Sequence, residues 1–399
     1  MTAGVLRTPP SARLPLADRV MMPLLRRLLR DLEGGTLVVS LPDGSETSFG
    51  SGPQVRISID DASLFRRLAT RPRLGLGEGY QAGEWRSDNL PALLELLVRN
   101  AGRAAARHPR LDAFAASRPR INRRTGLLAA RRNIEYHYDL GNELFRLFLD
   151  ETMTYSCAIF EGPDESLAEA QRRKLRRVCE RLSLGPGDHV LEIGCGWGSF
   201  ALTAAGEYGA RVTGITLSAE QASLARTRVD DAGLGDLVEI RLQDFREVRG
   251  RFTKVASIEM LEAVGERLLA PYFSTLSDVL EPGGLACIQT ILIPDERYAR
   301  YRATPDWIER YVFPGCLIPS LGAIAESAGG LELVELEQIG GHYAETLARW
   351  RSRFLARVDE VRALGYDERF VRTWDFYLAA CEALFRAGLL RDAQLVLQR

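Results

Sequence analysis

The sequence predicts an α/β protein in which a doubly wound, mainly parallel sheet follows a smaller α+β domain. Short apolar runs alternate with helical segments between residues 190 and 292. Strands that alternate with helices imply right-handed crossovers and a parallel sheet covered on both faces. The length of 399 residues indicates two or three domains. A composition of 46% hydrophobic and 26% charged residues excludes a largely disordered or fibrous chain.

The first 125 residues are predicted to form the smaller domain. Residues 16–33 place leucines and valine at helical spacing with arginines between them, which is typical of an amphipathic helix facing a core or a membrane surface. Residues 36–49 indicate two strands around a Pro-Asp-Gly turn, and residues 55–59 a third. We expect this domain to bind lipid or to mediate oligomerisation.

A basic segment forms the linker at the domain boundary. Residues 99–132 contain ten arginines and one acid, Asp112, whereas the whole chain has a net charge of -1. Such a segment indicates either an anionic surface, as of phospholipid head groups or nucleic acid, or a solvated linker, and charge alone leaves both open. Nucleic acid is the least expected partner, because the segment lacks the interleaved aromatics of a single-strand platform.

Residues 126–399 are predicted to form the larger domain. Its expected strands are residues 190–193, 212–217, 238–242, 254–260 and 285–292. From about residue 293 onward the chain is rich in aromatics and keeps a 3.6-residue period, which predicts a helical extension.

Location and metal content follow from what the sequence lacks. No apolar stretch approaches the ~20 residues that span a bilayer, and the N-terminus has no apolar signal segment, so we expect a cytoplasmic protein. The six cysteines form no CxxC pair, so neither a zinc cluster nor a disulfide framework is expected, and no metal site is predicted.

A glycine-rich segment at residues 189–198 marks the first candidate site. Its apolar strand ends in Gly194, Gly196 and Gly198 before a helix. Ligands bind beyond the carboxyl ends of such strands, where glycine lets the backbone approach them closely. The spacing is GxGxG rather than the dinucleotide GxGxxG. Because Glu192 suits a sulfonium or amino group better than a pyrophosphate, we interpret the segment as the S-adenosylmethionine site of a class I methyltransferase rather than a purely structural turn.

Further cofactor contacts are expected at the next two strand ends. Gln243 and Asp244 follow the third strand, where they are placed to meet an adenine. At the end of the second strand, Thr216 and Gln221, or Glu220, must supply the hydrogen bonds to the ribose hydroxyls.

Eight motifs then stand in a specific order. They are NIEYHYDLGNELFRLFLDETMTYSCAIF from residue 133, VLEIGCGWG, GITLSAEQ, QDFRE, SIEMLEAVGE, RYVFPGCLIPS, GGHYAETLARW and RTWDFYLAAC. This series closely resembles the cyclopropane-fatty-acyl-phospholipid synthase family, including the methylene-fatty-acid synthases, over roughly residues 130–390. The resemblance implies transfer of a one-carbon unit from S-adenosylmethionine to a cis double bond of a phospholipid acyl chain, with bicarbonate as base.

The chemistry of an alkene explains which residues such an enzyme needs. An alkene is a poor nucleophile, so the sulfonium methyl must be held in line with it in a dry, apolar slot. Attack leaves a carbocation, which aromatic faces stabilise, and the candidates are Tyr136, Tyr311, Phe313 and Tyr343. Ring closure then needs a nearby base to remove a proton from the new methyl group.

The resemblance also assigns residues to the base and to the cofactor. It implies that the bicarbonate is held by Cys157, Glu262, the backbone of Ile291, Tyr343 and the residue at position 289. Tyr155 and Ser156 are expected to contact the carboxylate and amine of the cofactor.

Two positions depart from the family pattern, and one histidine has two interpretations. Gln289 replaces a histidine of the family, so a neutral amide takes the place of a titratable donor. Ala263 replaces the histidine that many members have directly after the glutamate that is Glu262 here. His137 either orients substrate or bicarbonate or is a structural residue.

Two alternatives to a cyclopropane synthase remain. A methylene-fatty-acid synthase makes a 10-methylene branch of the same mass. A catalytically inert lipid-binding module is disfavoured by Gly194, Gly196, Cys157, Glu262 and Tyr343. The expected partner is an unsaturated phospholipid, met by peripheral association with the inner membrane surface, and a homodimer is allowed.

Overall fold

The computed structural model describes residue 23 and residues 25–107, 140–304 and 306–399. The chain divides into two compact units, Met1–Arg118 and Pro119–Arg399. Residues 25–29 of the predicted amphipathic helix are helical, whereas most of the basic segment, from residue 108 onward, lies outside the described residues.

The first unit contains a four-stranded sheet, and three of its helices are described over their full length. The strands are β1 (Gly35–Ser40), β2 (Glu46–Ser51), β3 (Gln54–Ile59) and β4 (Trp85–Arg86), and the helices are α1 (Ser63–Thr70), α2 (Gly75–Gln81) and α3 (Leu90–Arg107). The strand order is β2-β1-β3-β4, with β1 and β3 parallel. At the turn between β1 and β2, Gly44 has a φ of 83° and the Asp43 carboxylate accepts a hydrogen bond from the Ser45 amide. This confirms the predicted α+β unit.

The second unit is built from strands and helices in alternation. The strands are β5 (His189–Ile193), β6 (Arg211–Thr216), β7 (Val238–Leu242), β8 (Phe252–Ile258), β9 (Leu280–Leu292), β10 (Glu332–Gln338) and β11 (Arg391–Gln398). The helices are α4 (Gly141–Phe148), α5 (Leu167–Arg181), α6 (Ser199–Tyr208), α7 (Ala219–Asp231), α8 (Leu261–Val264), α9 (Glu266–Val279), α10 (Asp295–Ala303), α11 (Trp307–Tyr311), α12 (Leu321–Ser327), α13 (Gly341–Ala356), α14 (Val358–Ala363) and α15 (Glu368–Arg386).

These strands form one sheet in the order β10-β11-β9-β8-β5-β6-β7. Strands β5 to β9 are parallel to their neighbours, as predicted, and β11 and β10 extend the sheet in antiparallel fashion. The prediction of a purely helical extension was therefore wrong. Strand β11 lies between β9 and β10, and both its faces are buried. Its short apolar run therefore lacks the alternation that identifies a half-exposed strand.

Both faces of the sheet are covered, which places the ligand sites at its edge. Val190 and Leu191 are both fully buried but belong to separate apolar clusters, because successive side chains of a strand point to opposite faces. The carboxyl ends of β5, β6 and β8 consequently meet along one edge, below the packed helices α13 and α15. No helix in the described ranges has both the length and the apolar character to cross a bilayer.

Candidate active site

Two cavities meet at the carboxyl edge of the sheet. The first lies around the ends of β5 and β6, and the second extends beneath the C-terminal helices. They share the lining residues Tyr155, Glu259 and Ala263. A group-donating ligand in the first cavity and an accepting substrate in the second would therefore meet beside these three residues.

The turn after β5 exposes bare backbone to the first cavity. Gly194 has a φ of 82°, and a Cβ atom there would lie 2.6 Å from the Cγ atom of Met260. Gly196 has a φ of 51°, and a Cβ atom there would enter open space in the cavity that this residue lines. Both conformations favour glycine, and together they keep the space clear for a ligand.

Glu192 presents one free carboxyl oxygen to the same cavity. Its side chain is buried, and its Oε2 atom has no hydrogen-bond partner among the described residues. Burial raises the pKa of Glu192 to about 8, against the opposing effects of Lys174 and of a hydrogen bond from the Ala201 backbone. The free oxygen of this buried carboxyl fits the ammonium group of S-adenosylmethionine, which would restore its charged form.

Two further side chains are placed to bind the ribose hydroxyls. Thr216 and Gln221 line the cavity, and the Thr216 hydroxyl donates to Oε1 of Gln221 at 2.9 Å. The Thr216 hydroxyl in turn accepts a bond from the Ser218 amide, which fixes its orientation. The amide nitrogen of Gln221 is thus left for a ligand hydroxyl. Glu220, the alternative, is not among the lining residues.

The two residues after β7 have different positions. Gln243 lines the first cavity, as expected of an adenine contact. Asp244 does not line it, because both its carboxylate oxygens accept hydrogen bonds from Arg246 at 2.8 Å. It also caps the short 3-10 helix that follows, and its contact with the adenine stays a prediction.

Tyr155 and Ser156 both line the first cavity, and each has a polar partner. The hydroxyls of Tyr155 and Tyr377 form a hydrogen bond of 2.8 Å. The Ser156 hydroxyl accepts a bond of 2.6 Å from Nζ of Lys174, which is fully buried on α5. Burial lowers the pKa of Lys174, while the neighbouring charge of Glu259 opposes that shift.

The second cavity has a volume of about 290 Å³ and is mostly apolar. Its walls include Ile293, Ile308, Phe313, Leu347, Leu384 and Phe385. Of the aromatic candidates, Phe313 and Tyr343 line it and Tyr311 does not. Tyr136 and His137 lie outside the described residues.

Glu259 occupies the junction of the two cavities. Its carboxylate accepts hydrogen bonds from the Cys157 amide at 2.7 Å, from Nε2 of Gln289 at 2.9 Å and from the Tyr343 hydroxyl at 2.5 Å. Its φ of 49° is a strained conformation for a side-chain-bearing residue, and such strain concentrates at functional sites. Burial and the charge of Glu259 raise the pKa of Tyr343 well above its usual value, so its hydroxyl stays a donor.

Glu262 forms a second, separate carboxyl site beside the apolar cavity. Its Oε1 atom accepts bonds from the Thr290 hydroxyl at 2.9 Å and from the Ile291 amide at 2.5 Å. Its Oε2 atom has no partner within the described part of the chain. Burial, assisted by the charge of Glu259, raises the pKa of Glu262 to about 7.

The expected bicarbonate does not fit these residues. The donors of Cys157, Gln289 and Tyr343 already bind Glu259, and the Ile291 amide already binds Glu262. The thiol of Cys157 does not replace its amide as an anion ligand: it points to the carbonyls of Ala158 and Ile339, and burial keeps its pKa well above the usual value. Three of the five positions implied by the resemblance therefore surround the carboxylate of Glu259.

Three residues of this site were not predicted from the sequence: Lys174, Glu259 and Asp392. Glu259 and Asp392 are acids next to or within apolar runs, which was the available signal, whereas Lys174 lies in an arginine-rich helix that gave none. Asp392 is fully buried in β11, and its Oδ2 atom accepts a bond of 3.2 Å from Nε2 of Gln289. A charge at a buried strand position indicates function or pairing, because an isolated buried charge is costly.

Known proteins resemble both the sequence and the fold. The family described as mycolic acid cyclopropane synthetase matches residues 127–395. Tuberculostearic acid methyltransferase UfaA1 of Mycobacterium tuberculosis is 43% identical over 94% of this chain and 90% of its own length. The cyclopropane-fatty-acyl-phospholipid synthase of Escherichia coli K12 is 37% identical over 87% of each chain.

Solved structures agree. The cyclopropane synthase MmaA2 of M. tuberculosis aligns with a TM-score of 0.64 and 30% identity, over 67% of this chain and 98% of its own. The mycolic acid cyclopropane synthase CmaA1, solved with SAH and CTAB, aligns with a TM-score of 0.63 and 31% identity over the same shares. With its class I methyltransferase fold and a first cavity that fits S-adenosylmethionine, this chain belongs to the mycolic acid cyclopropane synthetase family of S-adenosylmethionine-dependent methyltransferases.

Proposed function

We propose that this enzyme methylates a carbon of the cis double bond in an unsaturated phospholipid acyl chain, and that Glu259 takes up the proton released. The observation that carries the proposal is the position of the Glu259 carboxylate, which lies where the first cavity meets the second, apolar cavity. S-adenosylmethionine, when bound, supplies an electrophilic sulfonium methyl group.

The apolar cavity suits the acyl chain and the cation that methylation creates. The π electrons of the alkene form the new bond to the methyl carbon, the carbon–sulfur bond breaks, and the second alkene carbon becomes a cation. Tyr155, Tyr343 and Phe385 line the cavity with aromatic faces that stabilise positive charge. Excluding water from this space prevents hydration of the cation.

Glu259 is suited to the proton transfer for reasons of position and charge. Three donors hold its carboxylate, which stabilises the charged form that a base requires. They also fix its orientation at the junction, so the carboxylate does not migrate to trap the cation. The proton leaves the new methyl group for a carboxylate oxygen, which is the role that the resemblance gave to bicarbonate.

The same observation favours the methylene product over the cyclopropane. Three hydrogen bonds hold the carboxylate in place, so it approaches the new methyl group only by stretching them, which slows the loss of the proton. A slow transfer leaves time for a 1,2-hydride shift, after which the cation lies on the methyl-bearing carbon and proton loss gives a 10-methylene branch. Similarity to a tuberculostearic acid methyltransferase supports this product. Similarity to a cyclopropane-fatty-acyl-phospholipid synthase supports the cyclopropane as the second candidate.

One residue in the wall of the second cavity supports a phospholipid as the substrate. Arg297 on α10 is exposed and lines the second cavity, and its side chain has no hydrogen-bond or ion-pair partner in residues 25–107, 140–304 and 306–399. A guanidinium at the end of an apolar cavity is complementary to a phosphodiester head group. We therefore propose that the enzyme works at a membrane surface without spanning it.

The test is incubation of the purified protein with S-adenosylmethionine and unsaturated phospholipid vesicles, followed by proton NMR of the released acyl chains. Vinylidene signals in the alkene region identify the methylene product, and far-upfield ring signals identify the cyclopropane. Vesicles of saturated phospholipid are the matched control. Binding of the cofactor and of vesicles without any acyl modification would contradict the proposal and favour an inert lipid-binding module.

A further inference from the structure

Asp392 forms a buried carboxyl pair with Glu259, with which it shares a side-chain hydrogen bond and the donor Gln289. It lies on β11 opposite Ile291 of β9, and its side chain is fully buried. Its backbone carbonyl accepts bonds from the Ile339 and Gly340 amides, at 2.8 and 3.1 Å. The residue is therefore held by the sheet and cannot turn toward water.

One amide links the two carboxyl groups. Nε2 of Gln289 donates to Oε1 of Glu259 at 2.9 Å and to Oδ2 of Asp392 at 3.2 Å. The orientation of this amide is set by a chain of bonds: Arg181 donates to Oε1 of Gln394, and Nε2 of Gln394 donates to Oε1 of Gln289. Because arginine only donates, each amide along the chain has one allowed orientation.

The donors around the pair are unevenly shared. Glu259 accepts three bonds, whereas Asp392 receives a share of the bond from Gln289 and the weak donor of the Cys157 thiol, and its Oδ1 atom has no donor among the described residues. Two adjacent carboxyls in a dry site do not both ionise, and the one with more donors keeps the charge. That assigns the charge to Glu259 and the proton to Asp392.

We propose that Asp392 is a positioning residue: it stays neutral, its hydroxyl donates to Glu259, and the pair carries a single negative charge. This inference rests on the proposed role of Glu259 as proton acceptor. In this arrangement Asp392 supplies a fourth donor to the carboxylate and keeps it turned toward the junction of the two cavities.

The surrounding charges agree with this assignment. Burial first, and then the charges of Glu259 and Glu262, raise the pKa of Asp392 well above its usual range, and only Lys174 opposes them. The other titratable neighbours are the thiol of Cys157 and the hydroxyl of Tyr343, both of which burial keeps protonated. A neutral Asp392 also avoids a second buried charge beside the cation formed in the reaction.

The test compares Asp392→Asn with Asp392→Ala. Asparagine keeps a neutral donor, so its rate should stay within roughly threefold of wild type, with the acid limb of the pH–rate profile unmoved. Alanine removes a hydrogen bond to a charged group, so its rate should fall about ten- to a hundredfold with S-adenosylmethionine affinity unchanged. If Asp392 is ionised instead, Asp392→Asn removes a negative charge and moves the acid limb to lower pH, which would overturn the proposal.

An infrared measurement tests the protonation of Asp392 without turnover. The difference spectrum of wild type and Asp392→Asn at pH 7 should contain the carbonyl stretch of a protonated carboxyl group. The control is Asp375→Asn, which replaces an aspartate that is also buried but is ion-paired with Arg351 at 2.6 Å and should contribute only carboxylate bands. Carboxylate bands alone from Asp392 would refute its neutrality, whether or not Glu259 proves to be the base.

Discussion

Removal of the Glu259 side chain should convert the enzyme into one that depends on bicarbonate. Glu259→Gly deletes the carboxylate, and glycine adopts the φ of 49° without strain. The donors of Cys157, Gln289 and Tyr343 are then left around an empty space that matches an anion. Because a positioned general base contributes about 10²–10⁴-fold, we expect a rate loss of that size in bicarbonate-free buffer.

The same substitution should alter stability in a way that bicarbonate reverses. Each buried donor that loses its partner costs about 1–3 kcal/mol, and water entering the space offsets part of this, so the free energy of unfolding should fall by on the order of 3 kcal/mol. A ligand present at ten times its Kd restores about 1.4 kcal/mol. Added bicarbonate should therefore raise both the Tm and the rate of Glu259→Gly.

The control is Glu259→Gln, which keeps the volume of the side chain and leaves no space for an anion. It should lose activity and should not respond to bicarbonate. Rates are measured as release of S-adenosylhomocysteine from unsaturated phospholipid vesicles, and cofactor affinity by calorimetry. Full activity of Glu259→Gly in bicarbonate-free buffer would refute the role given to this carboxylate.

The remaining predictions concern the cavities and the second carboxyl. Because burial raises the pKa of Glu262 from 4.5 to about 7, the folded protein holds a proton that the unfolded chain loses, so this group lowers the free energy of unfolding by about 2 kcal/mol between pH 5 and 7. Glu262→Gln should remove this share of the fall in urea titrations and leave the share of Glu192, and a fall as steep as that of wild type would contradict the assignment. Gly194→Ala forces a clash with Met260 and a strained φ, so the Kd of S-adenosylmethionine should rise about tenfold, and unchanged affinity would be the negative result. Ala263→Phe should block the junction of the cavities and lower the rate roughly a hundredfold while cofactor binding persists; normal turnover would disprove that junction. Arg297→Gln should raise the KM for anionic phospholipid vesicles about fivefold, and an equal KM would exclude the head-group contact.

The sequence predicted the parallel half of the sheet because each of its strands is a short apolar run bounded by glycine or a helix. It did not predict the two C-terminal strands. In β11 the buried residues Ala393–Leu397 form a run that period alone does not distinguish from a helix segment. The prediction also extended β8 to residue 260, whereas the strand ends at Ile258 and leaves Glu259 in the turn that faces both cavities.

The first cavity was predicted better than the proton-transfer site. The glycine loop and Glu192 are contiguous in the sequence, so a single motif contains them. The donors to Glu259 come from positions 102, 30 and 84 residues away, on a loop, on β9 and on α13. No local pattern encodes such a convergence, so only the resemblance named Cys157, Gln289 and Tyr343 together, and it did not name Glu259. The sequence also did not indicate that Arg246, two residues later, donates to both oxygens of the Asp244 carboxylate.

Turnover of the wild-type enzyme with bicarbonate rigorously removed tests the central claim most directly. The buffer is purged of carbon dioxide, and the rate of acyl methylation on unsaturated vesicles is compared with and without added bicarbonate. Because the Glu259 carboxylate already occupies the donors of Cys157, Gln289 and Tyr343, we predict equal rates in the two conditions. A rate that falls on removal of bicarbonate and recovers on its return would contradict the account.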